Sequence, residues 1–235
     1  MAEKLIHNMN EETIIISLGG SLIVPDQIDV DFLKDFRELI LAQVKNGKKF
    51  VIITGGGKLC RRYQEAAKQI SNVSNYDLDW IGIASLKLNA ELLRVIFSDY
   101  AHSKVIFNLS NELSFDKPII IGAAYEPGQS TDWDAVLAAK NVGAKKVINL
   151  SNTDYVYDSD PKINPNAKKI EKISWADYRK LIPSEWKAGL NSPFDPIASK
   201  LAEEAGIEVV IMNGNPIENF RKCLEDEEFQ GTIIS

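Results

Sequence analysis

The sequence predicts an α/β fold built on a mostly parallel central sheet, and three observations carry that expectation. Short runs of β-branched and other apolar residues, the kind buried on both faces of a sheet, alternate along the chain with segments of helical periodicity. Two of these runs end in glycine clusters, Gly19-Gly20-Ser21 and Gly55-Gly56-Gly57, each leading into a helix. Strand, glycine turn and helix, twice over, mark βα units of a parallel sheet. The composition is globular: 235 residues, 45% hydrophobic and 26% charged, enough to bury a full core without disulfide or metal staples.

The elements follow in order. Residues 13–18 (TIIISL) are the first buried-type strand. Residues 30–44 carry Phe32, Leu33, Phe36, Leu39, Ile40 and Val44 at helical spacing, and Gly47 lies just past the end, where it can close a helix. Residues 50–54 (FVIIT) are the second strand, and a helix is expected over 58–70. A further helix is expected over 83–97, strands over 104–108 and 118–121, a helix over 132–142 and a strand over 146–150. Asp195-Pro196 is a helix start, with Asp as cap and Pro at the first helical position, and that helix runs to Ala205. A strand follows over 207–212. Asn215-Pro216 repeats the start signal for a last helix to Leu224, and 231–234 reads as a closing edge strand. Residues 151–194, rich in Asn, Asp, Pro and Lys, are the irregular stretch, and long loops in such folds tend to carry function. A single domain over 1–235, with a flexible N-terminus over 1–12, is the expected organisation.

Charge and cysteine content narrow the function classes. A net charge of −6 argues against a nucleic-acid polymer as partner, and an acidic chain that binds anions must gather its cations locally. Cys60 and Cys223 are too few and too far apart for a disulfide framework or a metal cluster, which suggests a reducing compartment. The first residues lack the apolar stretch of a signal peptide, and no run approaches the ~20 apolar residues of a membrane helix. A soluble cytoplasmic protein is expected.

The chemistry-bearing residues cluster after the strands. In parallel sheets ligands sit beyond the carboxyl ends of strands, and glycines there let backbone N–H groups approach phosphate oxygens. A helix N-terminus behind the loop adds partial positive charge. One such loop can be a plain tight turn; two in consecutive βα units suggest two anions held face to face. Neither is a GxxxxGK[ST] phosphate loop, and neither is GxGxxG. Lys58, Arg61 and Arg62 open the helix after the second loop, where cations oppose the helix dipole. Either they form a solvated surface cluster or they meet phosphate, for which Arg offers bidentate contact and Lys a mobile point charge.

Two further polar segments follow. Glu126-Pro127-Gly128-Gln129-Ser130-Thr131-Asp132 runs from a strand into a helix; capping explains one of its last three residues but not all of them. In Ser151-Asn152-Thr153-Asp154-Tyr155-Val156-Tyr157-Asp158-Ser159-Asp160-Pro161, Tyr157 can stack on a base and Asp160 can fix the loop or approach a metal. An Asx-rich turn with a packing Tyr is the plainer alternative. His7 and His102 stand apart from other candidate bases or ligands.

Taken in order, GGS, GGGK-x-x-R, D-x-IGI, PG-x-[ST]-TD and N-x-D-x-VY-x-x-DP resemble the amino acid kinase superfamily, most of all its archaeal-type uridylate (UMP) kinases, over residues 13–234. The resemblance implies a three-layer αβα sandwich, assembly into homohexamers, and phosphoryl transfer from ATP, with Mg2+, to UMP. Carried over by position, Gly19, Gly20, Ser21, Gly57, Arg61, Ser151, Asn152, Tyr157 and Asp160 would contact ATP. Gly56, Asp79 and Glu126–Asp132 (Glu126, Pro127, Gly128, Gln129, Ser130, Thr131, Asp132) would contact UMP, with Asp79 on the ribose. Lys58, Arg61 and Asp132 would be catalytic, and the metal ligands are not specified. Ser17 stands where many superfamily kinases place Lys, which favours the archaeal type over the bacterial type. Glu126 and Gln129 stand where His is expected, and Trp133 and Asp134 replace small residues. Lys200 lies a turn past the Lys that some relatives use.

Such a reaction needs no protein nucleophile and no strong base, because an acceptor phosphate oxygen attacks directly; positioning and charge neutralisation do the rest. Two other functions fit the same residues. One is a kinase of this fold acting on isopentenyl phosphate or an amino-acid carboxylate. The other is a non-catalytic nucleotide- or oxyanion-binding protein used for storage or regulation.

Overall fold

A computed structural model describes residues 12–184 and 192–235. The expected flexible N-terminus, and His7 with it, lies almost wholly outside the described residues. The first strand, β1, spans Thr13–Leu18, followed by a single-turn helix α1 (Gly20–Ile23) and by α2 (Val30–Lys45). Next come β2 (Lys49–Thr54), α3 (Gly57–Ile70), α4 (Asn75–Ile96), β3 (Ile119–Gly122), α5 (Thr131–Val142) and β4 (Lys146–Ser151). The irregular stretch holds β5 (Val156–Tyr157), β6 (Lys169–Ile170), β7 (Lys172–Ile173) and α6 (Trp175–Leu181). The chain closes with α7 (Pro196–Ala205), β8 (Glu208–Asn213), α8 (Ile217–Leu224) and β9 (Thr232–Ile234).

Seven strands form one sheet in the order β3-β2-β1-β4-β8-β9-β7, parallel except where β8 meets β9. The strands alternate between two cores. Ile14, Ile16, Phe50, Ile52, Ile148 and Val210 pack under α2, α4 and α8, while Ile15, Val51, Ile53, Val147 and Val209 pack under α5, α6 and α7. Period-two side chains buried on both faces are what continuous apolar strands require, and they make the expected three αβα layers. On the first face, Phe36 of α2 stacks on Phe220 of α8 at 6.0 Å and meets Phe97 edge-on at 6.3 Å. Truncating so enclosed a ring to Ala typically costs about 3–5 kcal/mol.

Helix ends follow local chemistry. Asp29 caps α2 by accepting from the Phe32 N–H at 2.9 Å, and Gly47 takes a left-handed φ of 91° just past its end. Asp195 caps α7 through the Ala198 N–H, with Pro196 at the first position and left-handed Gly206 at the end, as the sequence implies.

Four expectations need correction. Helix α4 begins at Asn75, not at 83, because Ser74 caps it by accepting from the Asp77 N–H. Its first turns expose Tyr76 and Trp80, which hides the apolar stripe. Residues 104–108 form no strand; Ile106 makes a single bridge to Gly122 beside β3. The last strand is not an edge, since β7 adds outside β9. Asn215 does not cap α8: its N–H is held in a turn by Asn213 Oδ1 at 3.0 Å, and Pro216 occupies the cap position without a side-chain bond.

Candidate active site

The sheet order reverses at β1. Connections run outward to β2 and β3 on one side and to β4 and β8 on the other. Such a switch point opens a crevice at the carboxyl ends of the strands, and the glycine loops fall there.

The two loops touch each other through backbone. A Cβ placed on Gly20 would stand 2.1 Å from Gly57 N and 2.6 Å from Gly55 O, and one on Gly57, itself at φ +65°, would stand 2.2 Å from Gly20 O. Only glycine permits this approach, so these residues answer first to each other and through that contact set the two loops edge to edge. Gly19 N–H donates to Leu150 O at 2.7 Å, fixing the first loop to β4, and Asn89 Nδ2 of α4 donates to Gly55 O at 2.8 Å, fixing the second. Asn89 carries no motif that would have marked it in the sequence.

Beyond the loops lies a cleft of about 820 Å3. Of the residues singled out in the sequence, Ser21, Gly56, Gly57, Arg61, Asp79, Glu126, Pro127, Gly128, Gln129, Asn152 and Tyr157 line it. Arg61 has no ion-pair partner among the described residues, so its guanidinium is available in the cleft. Asp79 Oδ2 accepts from the Gly128 N–H at 3.1 Å, which clasps the loop over 126–132 to α4. Gly128 holds a φ of +85°, which lets that loop turn. Gly82 and Asp154, fixed positions of the motifs at 79–83 and 152–161, also line the cleft, as do Cys60 and Thr153 at variable motif positions; Gln64 and Lys162 line it too and were not legible in sequence, because they lie outside the motifs. Burial pushes the Cys60 thiol up, so it is a wall of the cleft rather than a nucleophile.

Other expected residues lie elsewhere. Lys58 is not in the cleft wall; its ammonium pairs with Asp26 Oδ1 at 2.9 Å, and Arg62 shares the same carboxylate. Gly19 and Gly20 form the loop contact described above. Ser130 caps α5 by accepting from the Trp133 N–H at 3.2 Å, and Thr131 is the first helical residue. Ser151 Oγ accepts from the Thr153 N–H at 3.2 Å. Asp160 takes the loop-fixing alternative, accepting from the Lys162 N–H at 2.9 Å. Lys200 stands 72% exposed beside Glu204. His102 pairs with Asp116, whose carboxyl it holds below the usual range.

Asp132 also stays out of the cleft wall. Its Oδ1 accepts from Ser17 Oγ at 3.1 Å and from Asn149 Nδ2 at 2.8 Å, while Oδ2 accepts from the Asp195 N–H at 3.1 Å. One carboxylate thus joins β1, β4 and the start of α7. The residue is partly buried and its carboxyl is the enclosed end, so desolvation pushes its pKa up to about 7 against the pull of those donors. Both oxygens are spent on protein donors, and among the described residues no group of three or more His, Cys, Asp or Glu side chains could hold a metal ion. The donor set therefore does not form a protein cage for Mg2+.

Comparison with known proteins accords with this geometry. The Amino acid kinase family profile matches residues 12–213. A uridylate kinase of Methanocorpusculum labreanum is 33% identical over 224 residues, covering 94% of each chain. One of Thermococcus sibiricus is 32% identical, covering 94% of this chain and 98% of its own. The crystal structure of uridylate kinase from Archaeoglobus fulgidus superposes with a TM-score of 0.79 at 31% identity, covering 94% of this chain and 99% of that one. Among the described residues no helix is long and apolar enough to cross a membrane. The chain belongs to the amino acid kinase family.

Proposed function

We infer that this chain is a nucleoside monophosphate kinase that moves the γ-phosphoryl group of ATP onto UMP, giving ADP and UDP. The observation that carries the reading is the cleft itself. Glycine loops and Tyr157 line it together with Asp79 and the clasped 126–129 loop, and Arg61 lines it without an ion-pair partner among the described residues. Relatives of the same length over nearly the whole chain are uridylate kinases, which supports UMP as the acceptor.

In this reading, backbone N–H groups of Ser21 and Gly57 receive donor phosphate oxygens at the crevice. Ser151, Asn152, Tyr157 and Asp160 shape the donor nucleoside side. Gly56, Asp79 and the loop over 126–132 hold the acceptor, with Asp79 exchanging its Gly128 N–H for the ribose. Arg61 neutralises charge on the transferred group, and Lys58 joins it by exchanging Asp26 for phosphate. Asp132 works by holding β1, β4 and α7 in register. No general base is required, because the acceptor phosphate is already ionised near neutrality. Mg2+ enters as the ion carried with ATP. A cytoplasmic homohexamer serving pyrimidine nucleotide synthesis completes the proposal; the exposed Tyr76, Trp80, Leu88 and Val95 of α4 support self-association.

The test is ADP release coupled to turnover, with UMP, CMP, AMP and isopentenyl phosphate offered in turn. UMP is expected to be the preferred acceptor by at least about tenfold in kcat/KM, on the scale of discrimination by a polar pocket. ATP binding without turnover on any acceptor would overturn the reading in favour of a non-catalytic nucleotide binder.

A further inference from the structure

Helix α5 turns a second carboxylate inward. Asp134 is 1% exposed, and its Oδ2 has no hydrogen-bond partner. A charged carboxylate left this way is costly, and the cost falls only if a cation or a proton neutralises it. Among the described residues no lysine or arginine acts on it. Among the described residues, the groups that face it are Asp132 on its own helix and Tyr125 on the segment after β3. Asp195 at the start of α7 acts on Asp132 in turn, and Glu126 acts on Tyr125. All are acidic or neutral.

The hydrogen bonds distinguish the two carboxyls. Each Asp132 oxygen accepts from an obligate N–H donor, Oδ1 from Asn149 and Oδ2 from Asp195, and Oδ1 also meets the Ser17 hydroxyl, an arrangement that suits an ionised carboxylate. Asp134, with an oxygen facing no donor, is the member of the pair that can carry a proton at little loss. We propose that Asp134 holds the proton of this pair and so keeps Asp132 ionised as the clamp that joins β1, β4 and the start of α7. Asp134 does not line the cleft; it is a positioning residue that acts through Asp132.

Burial pushes both carboxyls up to about 7, with Asp132 adding to the rise at Asp134, so it is the hydrogen bonding and not the titration that assigns the proton to Asp134. Raising the pH through that value sets two like charges side by side, and the clamp loosens. The folded protein binds more protons than the unfolded chain between the ordinary carboxylate range and about 7, so stability falls as pH rises across that window and levels off above it.

The activity arm of the test rests on the kinase reading; the stability arm does not. Wild type, Asp134→Asn and Asp134→Val are compared for kcat and for Tm between pH 5.5 and 8.5. Wild-type kcat is expected to fall roughly three- to tenfold on the alkaline side relative to Asp134→Asn, as when one titrating group controls a profile. The Tm of wild type is expected to drop with pH more steeply than that of either variant. Parallel kcat and Tm profiles overturn the proposal. So does failure of both variants to fold at every pH, because a protonated acid and an amide have the same shape and charge. A wild-type protein without turnover on any acceptor strikes the kinase reading, and the Tm comparison then decides this one.

Discussion

Asp26 Oδ1 lies 2.9 Å from the ammonium of Lys58, and the same carboxylate takes Arg62. Two of the three cations that open α3 are thereby tied to the loop after α1, and Arg61 alone of the three lines the cleft. The cluster that reads as one feature in sequence is divided by helical geometry, since successive residues point about 100° apart around the axis.

Arg61→Ala should lower kcat/KM by roughly 100-fold or more, the loss that follows removal of one donor aimed at developing charge. Steady-state kinetics with saturating ATP measure it. A rate within twofold of wild type takes Arg61 out of the mechanism.

Lys58 depends on release from Asp26. Asp26→Asn should lower the KM for ATP by roughly two- to threefold, the small change expected from freeing an exposed ion pair. Lys58→Ala should reverse that gain in the double variant. If both single variants are silent, Lys58 has no part in the reaction.

Asp79→Ala should raise the KM for UMP by roughly 10- to 150-fold, the range for losing a hydrogen bond to a charged group, with a smaller change in kcat. The loop over 126–132 loses its clasp as well, since the Gly128 N–H no longer has its acceptor. Equal losses in kcat and kcat/KM, with KM unchanged, would assign Asp79 to the chemical step instead of to acceptor binding.

Gly20→Ala should destabilise the fold by about 3 kcal/mol, at the upper end for overpacking, because the added Cβ meets backbone that has nowhere to move. For a chain of this size that corresponds to a Tm lower by roughly 6–12 °C. Thermal unfolding gives the shift, and titration with ATP gives the accompanying loss of binding. A Tm within 2 °C of wild type would show that the two loops can part without cost.

Much of the fold was legible because its signals are local. The strands at 13–18, 50–54 and 146–150 are apolar runs bounded by turn residues, and the start of α7 is written in Asp195-Pro196. Where the signal was not local, it was missed. Helix α4 begins on exposed aromatic residues without an apolar stripe, and β9 reads as an edge because nothing nearby in sequence reports that β7 will cover it. At the site, the motif residues that line the cleft include Gly56, Gly57, Arg61, Asp79 and Gly128, while Gln64 and Lys162 went unmarked.

By itself the sequence determined the alternation of strands and helices, the glycine loops at two strand ends, and the motif order that marks an amino acid kinase. Only the tertiary structure decided which side chains meet. Ser17, Asn149 and Asp195 converge on Asp132 from up to 115 residues away along the chain, Asp26 withdraws Lys58, and Asp134 Oδ2 is enclosed without a donor. Periodicity and caps depend on neighbours within a few residues, whereas these contacts depend on the order and twist of the whole sheet, which no short stretch of sequence contains.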